Sequence, residues 1–192
     1  MMEYLIIILA STVFGIQHSG ISALRVKNWI IDKYGKPGYA NIFKITSILS
    51  LSLAFLSMNF WNWLYFIISP SLIQIIPIVS GAVTGIFGVI IAMKASSVIS
   101  VSTVADMRTD REAELVTDGI YSKVRHPLYL ATILIFGAMA MIYPFSRVIL
   151  FAVCMILYTL IGAYLEERKL IVHYGEDYLA YKKEVGFILP RF

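Results

Sequence analysis

Residues 45–93 read ITSILSLSLAFLSMNFWNWLYFIISPSLIQIIPIVSGAVTGIFGVIIAM, without one Asp, Glu, Lys or Arg. A helix needs roughly 20 mostly apolar residues to cross a bilayer, so a stretch of this length holds two crossings. Pro70 and Pro77 mark the turn between them, which predicts spans at about 45–67 and 76–93. Outward from this stretch, Tyr4 to Leu24 is another run free of those four residues. Leu128 to Tyr143 is a shorter apolar run ended by Pro144, and Val148 to Leu165 is the last. The expectation is an all-α fold, a single membrane domain over 1–192. It has five transmembrane helices, at about 4–24, 45–67, 76–93, 128–143 and 148–165.

Composition agrees. Hydrophobic residues make up 59% of the 192 and charged residues 15%, with a mean hydropathy of +0.78. Soluble domains carry roughly 25% charged residues, so an ordinary soluble domain is excluded. A disordered chain needs low hydrophobicity and high net charge, and is excluded too. The single cysteine, Cys154, permits neither an intrachain disulfide nor a thiolate metal cluster, and no metal site is expected.

Basic residues favour the cytoplasmic side of a membrane protein. Arg25, Lys27, Lys33, Lys36 and Lys44 lie between the first two spans. Lys94, Arg108, Arg111, Lys123 and Arg125 lie between the third and fourth, and Arg168, Lys169, Lys182, Lys183 and Arg191 follow the fifth. Five spans put these fifteen on one face and only Arg147 on the other. The N-terminus is then outside and the C-terminus cytoplasmic. Glu3 is the only charge before the first run, which therefore lacks the basic start of a cleavable signal peptide and is read as a span. The uncharged turn at Ser69 to Gln74 leaves the outer face nearly bare. Gly81, Gly85 and Gly88 give the third span a small-residue face for close helix packing rather than a phosphate loop. Nothing points to nucleic acid as a partner; the lipid bilayer is the partner the composition implies.

Three polar clusters fall on the basic face. Gln17-His18-Ser19-Gly20 sits in the inner half of the first span, where polar groups usually face protein or a cavity. It is either a helix-to-helix hydrogen bond or a pocket wall. The second cluster runs from Leu115 to Tyr129. Asp118-Gly119 marks a turn, and Pro127 suits the first position of a helix that His126 would cap. Free N–H groups at a helix start favour anions, and Arg125 and His126 add donors. Interfacial anchoring explains the same residues equally well. The third cluster, Glu166-Glu167-Arg168-Lys169, follows the fifth span. Beyond it Leu170, Tyr174, Tyr178, Tyr181 and Val185 make an apolar stripe. The stripe predicts a cytoplasmic amphipathic C-terminal helix that lies on the membrane or covers a pocket.

Together, Val116-Thr117-Asp118-Gly119-Ile120-Tyr121, Arg125-His126-Pro127-Leu128-Tyr129, Glu166-Glu167 and Tyr174-Gly175-Glu176-Asp177-Tyr178 with Tyr181 resemble the isoprenylcysteine carboxyl methyltransferase family. These are integral membrane enzymes that use S-adenosylmethionine. Phe14-Gly15-Ile16-Gln17-His18-Ser19-Gly20 and Leu165-Glu166-Glu167-Arg168 resemble a subgroup that includes methanethiol S-methyltransferase. The resemblance implies a cofactor site at the cytoplasmic boundary, on segments 115–129 and 164–190. Its residues would be Tyr121, Arg125, His126, Pro127, Tyr129, Glu166 and Glu167. In the isoprenylcysteine enzymes an arginine commonly stands four residues before the first glutamate. Here that position is Gly162, which counts against prenylcysteine if that arginine holds its carboxylate.

For such a reaction the protein supplies position and electrostatics, because the methyl group arrives activated. Glu166 or Glu167 would face the cofactor's positive groups, and Arg125 and His126 its carboxylate. A carboxylate acceptor needs no base, whereas a thiol acceptor must lose a proton, and His18 or a carboxylate is the candidate base. Glu167, His18 and Arg125 are thus the catalytic candidates. The leading reading is methyl transfer to a thiol or other small lipophilic nucleophile. A prenylcysteine carboxyl methyltransferase, a non-catalytic membrane module and a nicotinamide-dependent reductase are the alternatives.

Overall fold

A computed structural model describes residues 1–59, 75–98 and 115–191. The expected turn at Ser69–Gln74, the end of the second span over 60–67, and Arg108 and Arg111 lie outside the described residues. Helix α1 spans Met2–Ser22 and α2 spans Leu24–Leu56. Helix α3 spans Ile75–Val98, α4 Pro127–Ile142, α5 Ser146–Tyr174 and α6 Glu176–Glu184. A 3-10 turn at Gly119–Ser122 precedes α4.

The basic stretch expected to link the first two spans is helical instead. Helix α2 is broken at Gly35, whose φ of 73° is open to glycine and strained for other residues. The arm before the break folds against the end of the first hairpin, burying Ile30 and Ile31 beside Tyr39, with Ile21, Ile42 and Phe43 around them. Lys27, Ile30 and Ile31 are buried at helical spacing, a stripe that the surrounding charges conceal in the sequence. The arm after the break runs antiparallel to α1. Gln17 Nε2 donates to Thr46 Oγ1 at 2.8 Å, and Ser50 Oγ donates to Gln17 Oε1 at 2.6 Å. Helix α2 stops at Leu56. Asn59 there adopts a φ of 60°, a left-handed conformation that asparagine tolerates.

Helices α3 and α4 form the tightest pair, and the glycine face is the reason. A Cβ at Gly81 would lie 2.6 Å from Ile142 Cγ1 and 3.0 Å from the Ala138 carbonyl oxygen. One at Gly88 would lie 3.1 Å from the Ala131 carbonyl oxygen. Helix α5 packs parallel to α1 and antiparallel to α4. Ile7, Phe14, Ala54, Met58, Val148, Phe151 and Met155 form the core at this junction.

These directions gather the ends bearing the basic clusters at one end of the bundle. The Glu3–Arg147 ion pair and the Tyr4–Ser146 hydrogen bond mark the opposite end. Four of the helices are long and apolar enough to cross a membrane; α4, at 16 residues, is the shorter fifth. Leu9, Val13, Ile16, Val83, Phe87, Val153, Leu157 and Ile161 point outward as exposed apolar side chains. An apolar surface of this extent calls for lipid rather than water. This is an integral membrane protein.

Candidate functional site

The polar end is organised around Glu167. Pro127 is the first residue of α4, where its missing N–H costs nothing, and His126 stands before it as the N-cap with a non-helical backbone (φ −122°, ψ 62°), without a side-chain capping bond. That geometry turns Arg125 and His126 inward beneath α5. Helix α5 runs past the apolar run and carries Glu166 and Glu167 to the same level. Gly175, at φ 56°, then breaks the helix and swings α6 back.

The predicted apolar stripe is therefore folded rather than continuous. Tyr178, Tyr181 and Val185 are buried against Leu115, Leu170, Ile171 and Tyr174. The chain after α6 pairs with the segment before α4. Arg125 N–H donates to the Gly186 carbonyl at 2.9 Å and His126 N–H to that of Phe187 at 3.2 Å. The Tyr181 hydroxyl donates to the Tyr121 carbonyl at 2.6 Å.

Within this enclosure Arg125 Nε donates to Glu167 Oε1 at 2.7 Å, and Nη2 lies 2.6 Å from the same oxygen. Nη1 donates to the Lys182 carbonyl at 3.1 Å and also to the Val185 carbonyl. Lys182 Nζ reaches the other carboxylate oxygen of Glu167 at 2.7 Å. Tyr178 donates to Oε1 at 3.4 Å. Burial pushes the Glu167 carboxyl up, but the hydrogen bonds and charges of Lys182 and Arg125 outweigh it and hold the group below its ordinary value. It is a carboxylate at neutral pH.

His126 Nε2 lies 3.5 Å from Glu167 Oε1, too far and too poorly aligned for a good hydrogen bond, and has no other partner among the described residues. Burial lowers the imidazole to about 4, against the pull of Glu167, with Arg125 and Lys182 also acting to lower it. The ring is neutral at physiological pH, wedged between Tyr129 and Phe187. Burial, reinforced by the Glu166 charge, raises the Tyr121 hydroxyl to about 12. Glu166 faces the other side. Burial pushes its carboxyl up, against a hydrogen bond from Tyr129 and the charge of Lys169, and its Oε2 is buried with no hydrogen-bond partner among the described residues.

The structure thus brings Tyr121, Arg125, His126, Pro127, Tyr129, Glu166 and Glu167 to one end of the bundle. His18 is set apart on α1, bonded through Nδ1 to Ser47 Oγ at 3.0 Å and ringed by Phe14, Phe43 and Tyr158. Arg125 differs from the sequence reading, because its guanidinium is already engaged by Glu167 and two carbonyls. Sequence reasoning missed Lys182, Gly186 and Phe187. Only Gly186 left a local sign. Its Cβ would lie 1.9 Å from the Leu189 carbonyl oxygen, so only glycine fits that turn.

Fold and site together define a helical membrane protein whose polar end is built on two adjacent glutamates, Glu167 buried and Glu166 half-buried. The phospholipid methyltransferase family matches residues 76–177, over half of the chain, including all of α4 and both glutamates. The chain belongs to this family. It is similar to methanethiol S-methyltransferase 1 of Bradyrhizobium diazoefficiens, 29% identical over 95% of this chain and 65% of that protein. It is also similar to the methanethiol S-methyltransferase of Pseudomonas deceptionensis, 28% identical over 97% of this chain and 72% of that protein. That of Crocosphaera subtropica is 25% identical over 93% of this chain and 71% of its own length. The chain therefore spans just under two thirds of the Bradyrhizobium protein. No solved structure matches it.

Proposed function

We propose that this chain is an S-adenosylmethionine-dependent membrane methyltransferase that acts on a thiol or other small lipid-soluble nucleophile. The observation that carries the reading is the buried Glu166 Oε2, which has no hydrogen-bond partner among the described residues, on a carboxyl that burial pushes up. A buried carboxylate oxygen left unmatched is costly, and a cationic ligand group resolves the cost. The ammonium and sulfonium of S-adenosylmethionine have that charge. When bound, this donor supplies a methyl group already activated on sulfur.

The chain's own residues then bind, orient and exclude water. Glu166, steadied by Tyr129, takes the positive end of the donor. Neutral His126 offers its unpartnered Nε2 as a hydrogen-bonding group. Arg125 is a positioning residue, tying Glu167 to the chain after α6 so that the enclosure stays shut. Low polarity helps a displacement in which charge is spread as the methyl group moves. The charge rule places this end at the cytoplasmic face. The thiol acceptor follows the names of the relatives, and His18 is the base that accepts its proton.

Calorimetric titration of the purified, folded protein with S-adenosylmethionine tests the reading. Binding is expected, weakened roughly tenfold or more in Glu166→Gln. No binding by folded wild type overturns it. Labelled-methyl transfer to a panel of small thiols and to a prenylcysteine then identifies the acceptor. Glu167→Gln and His126→Ala are expected to abolish transfer.

A further inference from the structure

Helix α5 presents Tyr158, Gly162 and Glu166 at steps of four, so the three share one face. Glu166 lies about 12 Å along the helix from Tyr158, at 1.5 Å per residue. At Gly162 the neighbour is Tyr129, whose Cε1 is 3.4 Å from the position of a Cβ. Tyr129 also bonds to Glu166. At Tyr158 the neighbour is α1. The Tyr158 hydroxyl is 3.0 Å from Ser19 Oγ, and its ring lies edge-on to both His18 and Phe14. Gly15 makes this approach possible, because its Cβ would lie 3.0 Å from Tyr158 Cδ2. A strip of α5 therefore joins the Glu166 end to the His18 cluster.

The His18 cluster has a definite chemical character. Its ring centroid is 5.4 Å from Phe14, 4.7 Å from Phe43 and 6.3 Å from Tyr158. Its Nδ1 partner is Ser47, a neutral hydroxyl. Phe14, Phe43, Tyr158, Ser19 and Ser47 carry no formal charge. Such a site has nothing to neutralise a carboxylate or an ammonium. Aromatic rings contact sulfur favourably, and the hydroxyls provide hydrogen bonds.

We propose that His18, Ser19 and Tyr158, walled by Phe14 and Phe43, form the methyl-acceptor subsite, and that it takes a small uncharged thiol. The inference rests on the methyltransferase reading above and adds to it the place and class of the acceptor. Donation from Nδ1–H to Ser47 leaves His18 Nε2 as the proton acceptor. The acceptor S–H gives its proton to Nε2, and its sulfur forms the new S–C bond. The methyl group's bond to the donor sulfonium breaks, leaving that electron pair on the donor sulfur. The proton then passes from His18 to water. Ser19 and Tyr158 hold the acceptor sulfur at the end of the strip, and Gly162, lacking a side chain, lets Tyr129 pack against the strip beside Glu166.

Two measurements test the subsite, one of them without the donor. Calorimetry with dimethyl sulfide, the uncharged product of methanethiol methylation, is expected to show binding to wild type. That binding should weaken about five- to tenfold in Tyr158→Phe and in Ser19→Ala, the effect of one neutral hydrogen bond. In turnover, the same variants should raise KM for methanethiol by a similar factor while the Kd for S-adenosylmethionine stays within twofold. Gly162→Val, which presses on Tyr129, should cut kcat for methanethiol. Thiols bearing a carboxylate or an ammonium should be poor substrates of wild type. Unchanged dimethyl sulfide binding in Tyr158→Phe and Ser19→Ala overturns the subsite, as does efficient turnover of a charged thiol. If wild type fails to bind S-adenosylmethionine, the methyltransferase reading fails, and dimethyl sulfide binding still decides whether the subsite exists.

Discussion

Replacing Glu167 with Gln keeps the side-chain shape and removes the charge that Arg125 and Lys182 share. The Arg125 and Glu167 side chains are each only 6% exposed, whereas Lys182 is 40% exposed. Removing one member of a buried ion pair costs about 3–5 kcal/mol, because the other charge is left buried and uncompensated. Here that remaining charge is Arg125. Lys182 can turn to solvent, so Lys182→Ala should cost less than about 1 kcal/mol. At roughly 2–4 °C per kcal/mol for a chain of this size, Glu167→Gln should lower the melting midpoint by roughly 6–20 °C. The double variant Arg125→Met with Glu167→Leu removes both charges and should recover more than half of the loss. It will not recover all of it, because the Lys182 and Val185 carbonyls lose their donor. Thermal melts of wild type, Arg125→Met, Glu167→Leu and the double variant in one detergent make the cycle, with Glu167→Gln and Lys182→Ala measured beside it. A Glu167→Gln midpoint within about 1 °C of wild type, less than the expected shift for 1 kcal/mol, refutes the reasoning. So does a double variant less stable than the two single losses combined.

Other expectations follow from the packing and the titrating groups. Gly81→Val places a Cβ 2.6 Å from Ile142 Cγ1 and should destabilise by about 1–3 kcal/mol in thermal melts. Gly137→Ala meets nothing within 4 Å and should be neutral or stabilising. His126 is lowered from 6.5 to about 4 and Glu167 lies below its ordinary value, so both favour the folded state at neutral pH. Their contribution should fade as pH falls, that of His126 between about 6.5 and 4. Melting midpoints measured across that range should decline, and His126→Asn should flatten the decline; a midpoint constant to pH 4 contradicts the assignment. Arg147→Gln removes a partly exposed pair with Glu3 at the far end of the bundle and should change stability by less than about 1 kcal/mol, with donor binding unaltered.

The apolar runs made the bundle legible, because a bilayer demands continuous apolar helices and charges interrupt them. Pro127 was legible as a helix start and the Gly81–Gly88 face as a packing surface, since both are local rules. The arm before Gly35 was not legible. Its buried stripe is short, and its charges mimic a loop. Helix ends at Leu56 and Tyr174 escaped for a related reason, as conformations at Asn59 and Gly175 decide them. At the site, both glutamates and the Arg125–Tyr129 segment stood out through resemblance, but their pairing did not. Arg125 and Glu167 are 42 positions apart, and Lys182 reaches Glu167 from a further helix. No periodicity records a contact of that kind. The orientation of Arg125 toward carbonyls of the same protein is likewise set by where the chain after α6 returns.

That return gives the order of synthesis a role. Chains fold from the N-terminus as they are made, at about 5–20 residues per second. Every helix of the bundle leaves the ribosome before residues 182–187, which supply the acceptors for Arg125 Nη1 and the backbone partners of Arg125 and His126. Until that short segment arrives, the helices can insert but the polar end stays unlatched and open to the surrounding water. Completion of the enclosure is thus a late, discrete event.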